Sequence, residues 1–75
     1  MSTTTLFNVT TPARHVVTTK SKRRALRKVA KAHRQGARLV FVHEIDLANT
    51  SQALLLKSER NADPTWYEVE LTQKG

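Results

Sequence analysis

Hydrophobic and polar positions change period three times along this chain, and the changes divide it into elements. From Thr4 to Thr11, "TTLFNVTT", β-branched and aromatic residues alternate weakly with polar ones, a strand pattern. Pro12 cannot donate to a sheet ladder and marks a turn. "HVVTT", His15 to Thr19, reads as a second strand that closes a hairpin on the first. The period then lengthens. From Lys22 to Gln35, Ala25, Leu26, Val29, Ala30 and His33 recur at helical spacing. Ser21 is placed as the N-cap and Gly36 as the stop.

Beyond Gly36 the strand period returns. In "ARLVFVHEIDL" the run Leu39 to Val42 is apolar on both faces, which predicts a central strand. "QALLLKSE" is a short apolar run that fits strand or helix. Strand is the preferred reading; the alternative is a short helix capped by Ser51. "RNADPT" predicts a turn, and "WYEVELT" alternates again, with Tyr67, Val69 and Leu71 on one face and Trp66, Glu68 and Glu70 on the other. The predicted architecture is α+β in the order ββαβββ: a small antiparallel sheet with one helix packed across it. The alternative order is ββαβαβ. With 75 residues and no repeat or long linker, one small domain spanning 1–75 is expected, with 1–4 and 73–75 as flexible ends. Phe7, Phe41 and Tyr67 are assigned to its core.

Charge changes this picture most at the helix. In "KSKRRALRKVAKAHRQGAR", Lys20 to Arg38, nine of nineteen residues are Lys or Arg and none is acidic. The net charge of +7 is unevenly spread: Met1 to His43 holds ten basic residues and no acid, and the remainder holds three basic residues and all six acids. At about 100° per residue, the helix divides into an apolar arc and a cationic one. Lys20 (projected back), Arg23, Arg24, Arg27, Lys28, Lys31 and Arg34 fall on the cationic arc. Lys22 alone strays toward the apolar side, where its stem can lie along the core edge.

A helix face selected for stability alternates charge signs, gaining about 0.2–0.5 kcal/mol per i,i+4 pair. Here Arg23–Arg27, Arg24–Lys28 and Arg27–Lys31 are all like-charged, and Lys22, Arg23 and Arg24 stand in the first turn, where the macrodipole disfavours cations. Local electrostatics oppose the fold, a pattern associated with functional surfaces. The anionic partners that fit are a phosphate backbone or an acidic protein surface. Trp66 reads either as a half-buried sheet residue or as a partner anchor.

Other chemistry is sparse. His43, Glu44 and Asp46 are close in sequence, but in a strand His43 faces away from the two acids, so exposed charges at a strand end are expected rather than a metal or acid–base site. Gly36 and Gly75 are the sole glycines, too few for a phosphate-cradling loop, and there is no cysteine. No catalytic residue, metal, cofactor or small-molecule substrate is expected, and the chain is read as a non-enzyme. "MSTTTLFNV" lacks the basic and apolar regions of a secretory signal, and no apolar run reaches the roughly 20 residues of a spanning helix. A cytoplasmic protein without membrane contact is the expectation.

The run strand–"TTKSKRRALRKVAKAHRQG"–strand, with Ser21 as cap and Ala25 four positions on, then two more strands with Trp66 opening the last, resembles several small phage-encoded host-takeover proteins. Anti-CRISPR proteins and phage inhibitors of host RNA polymerase have a similar order of elements. The resemblance implies a protein that binds a host protein or protein–nucleic-acid complex and inhibits or modulates it without chemistry of its own. Some such inhibitors are acidic; this chain is basic, which argues against mimicry of nucleic acid. The competing expectation, from the cationic arc alone, is direct and largely sequence-independent binding of DNA or RNA.

Overall fold

The computed structural model describes residues 5–67. It is a small α+β protein with one helix and a five-stranded antiparallel sheet. The elements are β1 (Thr5–Thr10), β2 (His15–Thr19), α1 (Lys22–Arg34), β3 (Leu39–Asp46), β4 (Ser51–Glu59) and β5 (Thr65–Trp66). The flexible ends expected at 1–4 and 73–75, and the alternation from Glu68 to Leu71, lie outside the described residues. The apolar run after Ser51 is strand, not helix.

In space the strands run β2-β1-β3-β4-β5. β3, whose sequence is apolar on both faces, occupies the centre, paired with β1 on one side and β4 on the other. Thr11 closes the first hairpin: its Oγ1 accepts from the backbone N–H of Ala13 (3.2 Å) and Arg14 (3.0 Å). The β3–β4 turn is held by Asp46, which is buried and not exposed as expected for the strand end, because its carboxylate is taken up by donors of the turn. Its Oδ1 accepts from the Ala48 N–H at 3.0 Å and its Oδ2 from Asn49 Nδ2 at 2.6 Å. Asn61, at φ 69°, turns the chain between β4 and β5 in a conformation that asparagine tolerates.

Ser21 caps α1 as expected, its Oγ accepting from the Arg24 N–H at 3.1 Å. The helix ends in a Schellman motif: Gly36 (φ 110°) donates to His33 O at 3.1 Å, and Ala37 donates to Ala32 O at 3.0 Å. The left-handed backbone at Gly36 is the physical reason for glycine there. Ala37 then packs against the core and turns the chain into β3.

Val9, Val40 and Val42 of the sheet are fully buried beneath Ala25, Val29 and Ala32 of the helix, and Leu55 and Leu56 complete the core. Two alanines at the contact let helix and sheet approach closely. Irregularities in register between Val9 and Thr10, opposite β2, and between Val42 and His43, opposite β4, break strict alternation. As a result the consecutive pairs Val16–Val17 and Leu55–Leu56 both pack with the core.

The helix lies across β2, β1 and β3, toward one side of the sheet. This offset corrects one expectation: Ala30, assigned to the apolar arc, is exposed, because the part of the sheet it would meet is not under the helix. A second is corrected at the end of the sheet, where Tyr67, assigned to the core, is 40% exposed beyond the last residue of β5. Phe7 packs against the core, whereas Phe41 lies on the opposite face of the sheet and is half-buried there.

Candidate functional site

Burial of Ala25, Val29 and Ala32 fixes the rotation of α1 and turns its cationic arc outward. Arg23, Arg24, Arg27, Lys31 and Arg34 are exposed along it, and Lys28 is half-buried on the flank nearest β2, beside Val16 and Val17. Lys20 is exposed, but it precedes the N-cap, so helical geometry does not set its direction. From Arg23 to Arg34 the array extends about 16 Å at 1.5 Å per residue. A duplex of that length presents about ten phosphate charges.

No acid stands in the first turn of α1, so nothing there offsets the positive end of the macrodipole; Lys31, His33 and Arg34 in the last turn oppose its negative end favourably. The electrostatic penalty is thus confined to the first turn and to the like-charged i,i+4 pairs. Among the described residues, none of the seven cations is hydrogen-bonded to a carboxylate; the nearest acids in sequence, Glu44 and Asp46, belong to β3, and Asp46 is taken up by its turn.

One neighbour joins the array from outside the helix, Arg14, and Lys22 of α1 flanks it on the apolar side where helical projection sets it. Arg14, in the β1–β2 turn, reaches the C-terminal end of α1, where its Nη2 donates to Gln35 Oε1 at 3.3 Å. It lines a shallow depression with Lys28 and Lys31. Lys22 lies on the other flank, with its Nζ 5.4 Å from the centre of the Trp66 ring, a cation–π contact. Trp66 pairs with Leu56, so it shares the helix side of the sheet, and it is 50% exposed. Lys22, Arg23, Leu26, Arg27 and Ala30 form an open trough along that flank, mixing apolar floor and cationic rim. The sequence signal for Arg14 was the hairpin itself, whose turn must lie near one end of the following helix.

His33 shows how the apolar arc accommodates an imidazole. Its Nδ1 is 2.8 Å from Ala37 O and its Nε2 2.9 Å from Ser58 Oγ. The carbonyl can only accept, so Nδ1 donates to it, and in the neutral ring Nε2 accepts from the Ser58 hydroxyl. Ser58 is buried, 7% exposed, with its hydroxyl against the histidine. The pair ties the last turn of α1 to β4.

His43, Glu44 and Asp46 are not brought together. Glu44 pairs with Phe7 on the helix side and His43 with Asn8 on the other. Among the described residues no group of three or more His, Cys, Asp or Glu side chains could hold a metal ion, and no helix is long and apolar enough to cross a membrane. The arrangement is suited to attracting an extended anion. No protein-family model, curated protein or solved structure matches this chain, and the resemblance to phage-encoded proteins gains no support from those comparisons.

Proposed function

We propose that this chain is a non-enzymatic binding protein whose α1 surface docks on the phosphate backbone of nucleic acid with little dependence on base sequence. The observation that carries the reading is the outward array of Arg23, Arg24, Arg27, Lys31 and Arg34, flanked by Lys28 and Arg14, on a helix without a single acidic residue. Lysine and arginine clusters bind phosphates without demanding precise geometry, and binding is driven by counterion release. On this reading the protein works in the cytoplasm alongside its nucleic-acid partner, and neither a cofactor nor a small-molecule substrate takes part. The test is a salt titration of binding to unrelated duplex and single-stranded oligonucleotides. Comparable affinities that fall steeply with salt support it; no binding to any of them at low salt refutes it.

A second reading is favoured by the flank of the helix. There Trp66 stands half exposed beside Lys22, with Leu26 and Ala30 at the floor of the adjoining trough. An exposed indole next to apolar floor and cationic rim suits a protein partner better than a phosphate backbone alone. In that case the protein modulates a nucleic-acid-processing complex, such as a CRISPR interference complex or RNA polymerase. Affinity capture with and without nuclease separates the two: a defined set of proteins retained after nuclease favours the second, and loss of all captured material favours the first.

A further inference from the structure

The side of the sheet away from α1 has its own composition. Register places Leu6 beside Ile45, Asn8 beside His43, and His43 beside Leu54. Phe41 lies between Thr10 and Lys57 in the next row but one along β3. Leu6, Phe41, Ile45 and Leu54 are half-buried, yet none of them packs with the core, and among the described residues no element covers them. A cluster of this kind on an open sheet face gains stability when an apolar surface is laid against it.

We propose that this face, formed by Leu6, Phe41, His43, Ile45 and Leu54, is the interface of a homodimer in which two sheets pack face to face. Charge argues for a second copy as the occupant. The whole chain carries +7 and repels its own copy on most approaches. Among the described strand residues the formal charges on this face are Lys57, in the Phe41 row, and Glu59, opposite Leu39, and they cancel. A polyanion finds no cation cluster here and an acidic protein finds nothing to neutralise; a neutral apolar surface, such as this one, fits.

Area argues the same way. Strands about 4.8 Å apart and rising about 3.4 Å per residue give the described strands, of 6, 5, 8, 9 and 2 residues, a face of about 490 Å², so a pair that covers it whole buries about 1,000 Å² in all, at the lower limit for a specific interface. His43 would lie within it, next to Asn8. Asn8 Oδ1 accepts from Thr18 Oγ1 at 2.9 Å, which leaves the Asn8 amide N–H groups for a neighbour.

Packed sheets lie about 10 Å apart, and each helix axis stands about 10 Å above its own sheet, so the two α1 helices face opposite ways about 30 Å apart. That is about three Debye lengths at 0.1 M salt, so their mutual repulsion is screened. The dimer therefore keeps both cationic arrays free. Its formation depends on apolar burial and not on the nucleic-acid reading.

Light scattering after size exclusion, or sedimentation equilibrium, tests this on the full chain without nucleic acid. The expected mass is twice the 8.5 kDa of one chain, and it persists as salt is raised. Ile45→Glu and, separately, Leu6→Glu yield a monomer with unchanged far-UV circular dichroism and unchanged oligonucleotide binding per chain. A wild-type mass of one chain up to about 1 mM, the weakest association of interest, overturns the proposal. So does a dimer that dissociates as salt is raised, or one that survives in either folded variant. Because the wild-type mass decides by itself, the test stands even where a charged variant fails to fold.

Discussion

Replacing Arg27 by glutamate sets stability and binding in opposite directions, and the structure fixes both signs. Arg27 is exposed near the middle of the cationic arc, with Arg23 one turn before it and Lys31 one turn after. Each of these i,i+4 pairs is repulsive by about 0.2–0.5 kcal/mol, and a glutamate between them converts both to attraction of similar size. The sum of the two reversals is about 0.8–2 kcal/mol, and solvent exposure holds it near the lower end of that range. Glutamate and arginine have similar helix propensities, so the backbone contributes little. For a chain of this length the variant should melt about 2–6 °C higher at low salt, with the gain shrinking as salt is added. Binding moves the other way. One phosphate contact is lost and a negative charge is placed in its midst, so the slope of log K against log salt falls in magnitude by about 1–2 for duplex DNA. The assays are thermal denaturation followed by circular dichroism and fluorescence anisotropy with a labelled duplex over a salt series. A variant that is less stable, or that binds as tightly as the parent at low salt, refutes the view that these cations are retained for binding at the expense of helix stability.

Substitutions at Ser21 and at the Ser58–His33 pair probe the frame that presents the array. Ser21→Ala removes the side-chain cap on the Arg24 N–H in a first turn that already carries three cations, and should destabilise the fold by about 1 kcal/mol in urea denaturation, whereas Ser21→Asp should restore or exceed the parent's stability. Ser58→Ala leaves His33 Nε2 without its donor and loosens the last turn of α1 from β4. It should cost about 1 kcal/mol, with a coupling of similar size to His33→Ala in a double-mutant cycle.

The elements of this fold were legible because each is written in its own period. Ser21 and Gly36 bracket α1, Pro12 breaks the first hairpin, and Leu39 to Val42, apolar on both faces, mark the central strand. The cationic arc was legible for the same reason: a rotation of 100° per residue sorts side chains before any contact is known. What escaped depended on placement in three dimensions. Register irregularities set Val16 with Val17, and Leu55 with Leu56, on one side of the sheet, which a period of two cannot foretell. The offset of α1 toward β2 exposes Ala30 and Trp66 and brings Arg14 to the helix end, and that offset is decided by packing of Ala25 and Ala32 on the sheet. His33 looked like an imperfect apolar residue because its partner, Ser58, is 25 residues away in sequence.

Whether the cationic face of α1 meets phosphates is decided by the salt dependence of wild-type binding to a duplex of arbitrary sequence. An array of five to seven engaged cations predicts that log K falls linearly with log salt, with a slope of about −4 to −6, and that a scrambled duplex gives the same line. A slope near zero, or no detectable complex at low salt, contradicts the account.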